Sequence, residues 1–368
     1  MCRPIHVRLD WAALRHNHAI VRQAARHAKI WSVIKANAYG HGVLSASHAL
    51  EALADGFALI EVNSAIALRK AGIRQPMLLL EGFYQANELP LFAKWKLTPV
   101  LHAQWQVDAL IAARLPVRLP VYLKVDTGMH RLGFTADEFA NVVAQLEAAD
   151  CTASITVMTH FADADEDRGI AEQMDCLRAM TKGLALPLSL ANSAALLRFP
   201  ESQADWVRPG IMLYGASPFP ARQSAEALGL KPVMTLASEL ITVRDIAAGD
   251  RVGYGGTFVA EQPMRIGIDA CGYADGYPRH APTGTPVLVA GQRTRTLGRV
   301  SMDKLCVDLT GLEKVGDGET AVTPAIATKV TLWGEGLPAD DVATAAGTVA
   351  YELFCAVTPR VPVIDVNQ

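Results

Sequence analysis

PVYLKVDTGMHRLGFTADEFANVVAQLEAADCTASITVMTH, residues 120–160, places one segment of helical period between two short apolar runs. The runs PVYLKVD at 120–126 and ASITVMTH at 153–160 read as strands. Between them, TADEFANVVAQLEAA opens with Thr135 and Glu138 at capping-box spacing, ahead of apolar positions at helical intervals. The stretch is therefore one strand–helix–strand unit.

The same alternation extends in both directions, from residue 30 to about 215. The other runs are IWSVIK at 30–35, GFALIE at 56–61, PMLLLE at 76–81, LTPVLH at 97–102, LPLSLAN at 186–192 and WVRPGIMLYG at 206–215. Eight runs are the number that closes a (β/α)8 barrel of the TIM type, although an open doubly wound sheet needs the same alternation. After about residue 228 the texture changes to short β-rich runs divided by Gly, Asp and Pro, as in MTLASELITVRDIAAGDRVGYGG. DDVATAAGTVAYELFCAV reads as one helix with an Asp N-cap, and PRVPVIDV as extended chain. The expectation is an α/β protein with a barrel over 1–228 and a mainly-β domain over 229–368, tightly packed because no low-complexity linker separates them.

The 368 residues are 51% hydrophobic and 19% charged, which supports a large buried core. A formal charge of -3 gives no sequence-wide reason to expect nucleic acid or an anionic membrane as partner. Cys2, Cys151, Cys176, Cys271, Cys306 and Cys355 are scattered without metal or disulfide spacing and read as reduced, mostly core thiols. The opening MCRPIHVRLDW lacks the apolar core of a signal peptide, and no run approaches membrane-spanning length. The expected compartment is the cytoplasm.

Barrel enzymes carry their reactive groups at the C-terminal ends of the strands. There the sequence offers Lys35 with Tyr39 just beyond, Arg131 in DTGMHRLG, His160 in MTHF, Ser193 in ANSAA, and Arg208, Gly210 and Ile211 in VRPGIMLYG. A buried ammonium ion is costly, whereas an imine to an aldehyde cofactor gives the lysine nitrogen a covalent role. Taken alone, Lys35 reads more readily as a strand-end lysine reaching back to solvent. Ser193, Gly210 and Ile211 could supply a hydroxyl and backbone N–H groups for a phosphate, as barrels do after their seventh and eighth strands.

VIKANAYGHG, DTGMHRLG, ANSAA, VRPGIMLYG, VGYGGTF, GYADGY and GRVSMD together resemble the alanine racemase family, in the family's order and over essentially the whole chain. The resemblance implies a pyridoxal 5′-phosphate enzyme, a racemase, working as a head-to-tail homodimer with shared active sites. It implies a Schiff base at Lys35, phosphate contacts from Tyr39, Ser193, Gly210 and Ile211, and ring packing by His160. Arg208 would face the pyridine nitrogen, and a permanently protonated guanidinium there weakens the ring as an electron sink. The second base would be Tyr254 of VGYGGTF, reaching the partner's site, because racemisation removes a proton from one face and returns one to the other. On residues alone, Tyr254 is a turn or interface aromatic and Met302 is core filler. The resemblance instead puts Tyr273 and Met302 over a small side chain and Arg131 near the substrate carboxylate, and it matches Lys124 to a position carbamylated in some members.

Two positions depart from the family pattern. Ser189 stands where many members have a histidine supporting the pyridine-facing arginine, so the support must differ. Pro359 stands where some have a phosphate-touching tyrosine, and nearby Tyr351 reads as packing within its helix. His160, Asp163 and Asp165 of HFADADEDRG imitate a metal cluster but read as a solvated acidic loop. His41 has no evident proton to move. A broader amino-acid racemase and a decarboxylase of the same plan are the rival activities. A single-barrel carrier of the cofactor would leave the β domain without a role.

Overall fold

The computed structural model describes residues 3–312 and 323–367, so Cys2 lies outside the described residues. By its contacts the chain divides into two compact units, one of Arg15–Ala38 with Gly42–Leu213, the other of Met1–Leu14, Tyr39–His41 and Tyr214–Gln368.

The first strand of the chain, β1 (His6–Asp10), belongs to the second of these units. The other unit is a closed barrel of eight parallel strands in sequential order: β2 (Lys29–Val33), β3 (Gly56–Leu59), β4 (Met77–Leu79), β5 (Leu97–Leu101), β6 (Leu119–Lys124), β7 (Thr152–Met158), β8 (Leu188–Asn192) and β9 (Trp206–Arg208). Closure is made where Lys29 and Ile30 register with Trp206 and Val207. Phe57, Leu78, Val100, Leu123 and Val157 are fully buried, which explains runs that are apolar without alternation: a parallel strand in a barrel is covered on both faces. At the seam the Trp31 ring stacks on Trp206 with centroids 4.3 Å apart and donates Nε1–H to the Tyr122 hydroxyl at 2.9 Å.

The connecting helices follow their sequence signals. The helix Ala136–Ala148 buries Phe139, Val142, Val143 and Leu146, a single apolar stripe. Its start is fixed as the capping pattern predicts, with the Glu138 carboxylate accepting from the Thr135 backbone N–H at 2.9 Å. The eighth run is shorter as a strand than expected. It ends at Arg208, because Pro209 has no N–H to continue the ladder, and Ile211–Tyr214 turn into a short 3-10 helix.

The other unit is built on one antiparallel-rich sheet. Its members, besides β1, are β10 (Met234–Ile246), β13 (Met264–Asp269), β14 (Pro286–Val289), β15 (Gln292–Leu297), β16 (Leu305–Asp308), β17 (Lys329–Trp333) and β18 (Val363–Val366); β11 (Arg251–Val252) and β12 (Phe258–Val259) form a separate ribbon. The order is β13-β16-β15-β14-β17-β10-β1-β18, and β10 also pairs with β13, so the sheet curls back on itself. The β1 strand lies antiparallel to β10 and parallel to β18, burying Val7 and Leu9.

The terminal segment expected as one helix is two, Ala339–Ala346 and Ala350–Ala356. Gly347 takes φ 71°, a left-handed cap that ends the first helix. The N-cap position is Pro338, not an aspartate; Asp340 instead accepts a hydrogen bond from the Ser217 N–H at 2.9 Å, and burial pushes its carboxyl up to about 6.

Candidate active site

The stretch after β2 begins the site. Val33 N–H bonds the Pro209 carbonyl at 3.1 Å and Ile34 N–H the Ala58 carbonyl at 2.8 Å, which fixes the backbone just ahead of Lys35. Ala36, Asn37, Ala38 and Tyr39 then take φ of 52°, 53°, 54° and 52°, a left-handed turn of four non-glycine residues. Each such residue costs roughly 1–2 kcal/mol, a strain that persists only where surrounding contacts over-determine it. Here the Asn37 side chain accepts from Val43 N–H at 2.9 Å and its carbonyl from Gly42 N–H at 2.9 Å, locking the turn to the following helix.

Arg208, on the last residue of β9, is buried. Its Nη1 donates to the Ser189 carbonyl at 2.5 Å and to the Ser189 hydroxyl at 2.8 Å; its Nη2 donates to the carbonyls of Thr159 at 2.5 Å and Leu190 at 3.1 Å. Ser189 thus replaces the histidine of the family pattern with a hydroxyl and a carbonyl. All four acceptors are neutral, and burial draws the guanidinium down to about 10, opposed by Tyr122. Next to it, Gly210 N–H donates to Ser193 Oγ at 2.9 Å, leaving the serine its own O–H as a donor. Ser193 opens a short helix capped by the Asn192 side chain on Ala195 N–H at 2.9 Å.

The loop after β6 is held by its aspartate. Asp126 accepts from Gly128 N–H and His130 N–H, each at 3.0 Å, and although burial opposes it, these bonds keep its carboxyl below the ordinary range. Phe134 bonds back to Lys124 and Asp126, so Arg131 rides on a closed loop at the strand's end. Thr127 and Thr159 share a hydroxyl bond at 2.7 Å, and Gln173 Nε2 donates to Thr127 and to the His160 carbonyl, tying this loop to the end of β7.

Electrostatics shows these strand ends acting on one region. His160 is held well below its usual range first by burial, then by the positive charges of Arg208, Lys124, Arg131 and Lys35. Lys124, itself buried, is drawn down to about 8 by burial and then by Arg131 and Arg208, with Glu81 opposing. Four cations with one named carboxylate make a site that suits an anionic ligand, and a neutral imidazole beside them can pack against an aromatic ring. That charge surplus, with the Ser193 hydroxyl and a buried guanidinium on neutral acceptors, fits a phosphorylated pyridine aldehyde.

Comparison with known proteins settles the family. The N-terminal domain model of alanine racemase matches residues 9–218 and the C-terminal domain model residues 233–365. The chain belongs to the alanine racemase family. It is 52% identical to the alanine racemase of Nitrosomonas eutropha, over 100% of both chains. It is also 52% identical to the catabolic alanine racemase of Salmonella typhimurium, over 99% of each. The crystal structure of the biosynthetic alanine racemase from Pseudomonas aeruginosa superposes with a TM-score of 0.92 at 44% identity, covering 99% of this chain and 100% of that one.

The remaining family positions of the racemase lie in the other unit. Tyr254 is 69% exposed on a turn in which Gly253, Gly255 and Gly256 all take positive φ. Met302, far from being core filler, is 53% exposed, and Tyr273 is 37% exposed. Tyr273 N–H bonds the Ser301 carbonyl at 3.1 Å and Ala274 N–H the Met302 carbonyl at 3.0 Å. The approach is so close that a Cβ on Gly272 would stand 2.4 Å from both carbonyl oxygens. Arg299, in the same segment as Met302, lies against Gly253 and Gly255 on either side of Tyr254. Tyr39 is buried against Tyr214 with ring centroids 4.6 Å apart, and the Tyr351 ring leans on it at 5.9 Å. His41 has a structural contact, its Nδ1 bonded to the Tyr39 carbonyl at 2.8 Å.

Residue-type reasoning passed over Thr127, Thr159, Gln173, Tyr122 and Glu81. None sits in a family motif singled out above except Thr127, and their roles depend on which strand ends meet in space.

Proposed function

We propose that the chain interconverts L- and D-alanine by a two-base mechanism, with Lys35 on one face of the substrate and Tyr254 of a second copy on the other. Membership of the family makes it an alanine racemase using pyridoxal 5′-phosphate. The observation that carries the site assignment is the joint action of Lys35, Lys124, Arg131 and Arg208 on partly buried, neutral His160.

When bound, the cofactor withdraws electrons from the substrate α-carbon and so acidifies its proton. Lys35 Nζ would hold the cofactor's aldehyde carbon until the substrate's amine takes over that bond, which frees Nζ to act as a base. The Ser193 O–H, the Ile211 N–H and the Tyr39 hydroxyl would hold the phosphate, and Gly210 fixes the Ser193 oxygen. Arg208 would donate to the pyridine nitrogen and keep it unprotonated, which would limit misplaced protonation. His160, held neutral, packs on the ring. Arg131 presents a planar fork to the substrate carboxylate. Lys35 Nζ removes or returns the proton on one face, and the Tyr254 oxygen does so on the other.

One feature supports a working dimer. Tyr254, Tyr273 and Met302 are large and exposed, as residues are that complete a neighbour's pocket. Tyr273 and Met302 then limit the room for the substrate side chain. Lys124, drawn down to about 8, is a readily neutralised amine beside Arg131 and Arg208, suited to carry a carbamate. We read the enzyme as cytoplasmic, either supplying D-alanine for peptidoglycan precursors or degrading it; Cys151, Cys176, Cys271 and Cys306 are not joined in disulfides, which is in keeping with a reducing compartment. No described helix is long and apolar enough to cross a membrane.

The test is chiral product analysis with the cofactor-loaded protein. L-alanine should yield D-alanine, and Lys35→Ala should abolish both turnover and borohydride-trapped cofactor. A loaded wild-type protein that forms no D-alanine would refute the assignment.

A further inference from the structure

The face that carries Tyr273 and Met302 is held by a pair of arginines from opposite ends of the chain. Arg3 Nη1 and Nη2 donate to Asp275 Oδ1 and Oδ2 at 2.7 and 2.9 Å, and Nη2 also reaches the Ala270 carbonyl at 2.8 Å and the Asp303 carbonyl at 3.3 Å. Arg360 Nε donates to Asp275 Oδ1 at 2.8 Å, while its Nη2 donates to the Asp303 carboxylate. Asp275 lies two residues beyond Tyr273 and Asp303 directly follows Met302. Each arginine therefore grips both loops at once.

The aspartate is the fixed point of this arrangement. Its side chain is fully buried, against 37% exposure for Arg3 and 40% for Arg360. Asp275 Oδ2 also accepts from Gly272 N–H at 3.0 Å, which closes the Tyr273 turn on itself. The chain next to Arg360 adds two bonds to the same turn: Thr358 N–H to the Asp275 carbonyl at 3.1 Å, and Thr358 Oγ1 to the Ala274 carbonyl at 2.9 Å. A buried carboxylate with two guanidiniums and a backbone donor is fully satisfied, so the turn has one low-energy position.

We propose that Arg360 and Arg3 are positioning residues for substrate selection: through Asp275 and Asp303 they set the spacing of Tyr273 and Met302, and with it the room left for the substrate side chain. This rests on the reading that Tyr273 and Met302 border the alanine pocket. A displacement of about 1 Å in such a boundary is enough to change discrimination between small side chains on the order of tenfold. Neither arginine touches the substrate.

The experiment uses cofactor-loaded wild type, Arg360→Ala, Arg360→Lys, Asp303→Asn and Met302→Ala, with kcat and KM measured for L-alanine and L-serine. Asp303→Asn cuts only the Met302 side and leaves Asp275 with both arginines, so it reports even if Arg360→Ala folds poorly. Arg360→Ala and Asp303→Asn should raise KM for L-alanine more than they lower kcat. They should shift the serine-to-alanine ratio of kcat/KM in the same direction as Met302→Ala, on the order of tenfold, with cofactor absorbance unchanged. Arg360→Lys should fall between them and wild type. If Met302→Ala moves the ratio but neither Arg360→Ala nor Asp303→Asn does, the clamp is refuted and the pocket reading stands. If Met302→Ala also leaves the ratio unmoved, the pocket reading is refuted and the clamp with it.

Discussion

Arg208 shows what a single residue's surroundings add to its motif. A strand-end arginine in VRPGIMLYG was legible, but its support was not, because three of its four acceptors are backbone carbonyls that no side-chain pattern records. The fourth, Ser189 Oγ, sits where the family pattern led one to look for a histidine. Ser189→Ala removes one hydrogen bond to a charged group, a loss of about 1.5–3 kcal/mol. The expected outcome is weaker cofactor retention, measured by dialysis against fluorescence of the bound cofactor, with Arg208 still anchored by its carbonyls. Retention equal to wild type would show that the hydroxyl contributes nothing. Lys124 gives a second residue-scale expectation. Its folded value of about 8 lies below the ordinary lysine value of about 10.4, so between those limits the unfolded chain binds more protons than the folded one. Stability from this group therefore rises with pH across that window, by on the order of 3 kcal/mol in all, and the full cost remains below pH 8. Urea midpoints in buffer free of carbon dioxide should show this rise, and Lys124→Met should lack it. Bicarbonate should flatten the wild-type rise if the amine is carbamylated.

At the scale of elements, the apolar runs named the barrel strands because parallel strands are buried on both faces and leave continuous hydrophobic text. The helix Ala136–Ala148 was legible from its cap and stripe. The left-handed turn Ala36–Tyr39 was not, since no glycine marks it; its strain is carried by Asn37 and the bonds around it. β1 was missed because five residues of alternating burial are a weak signal, and its partners, β10 and β18, lie far along the chain. The terminal helix was read as one because its apolar period runs through Gly347, where the backbone turns left-handed and stops. In the site, the cations were legible singly; their common action on His160 was not, because it depends on barrel closure.

For the whole molecule, the account turns on two copies sharing a site. Lys35, Arg208 and Ser193 belong to one compact unit, while Tyr254, Tyr273 and Met302 stand exposed on the other. A monomer-sized reading leaves those exposed groups without a task. The dimer proposed above would give each a task, and would make every active site depend on both chains.

The most direct test is complementation between two inactive variants. Lys35→Ala lacks one base and Tyr254→Phe the other, each expected to lose on the order of a hundredfold or more of the L-alanine reaction. Mixed in equal amounts, partly unfolded and refolded together with cofactor, they form heterodimers in which one site carries both defects and the other neither. The account predicts recovery to about a quarter of wild-type activity. A mixture that native mass spectrometry shows to contain heterodimers, yet that stays as inactive as its parents, would contradict a site shared between subunits.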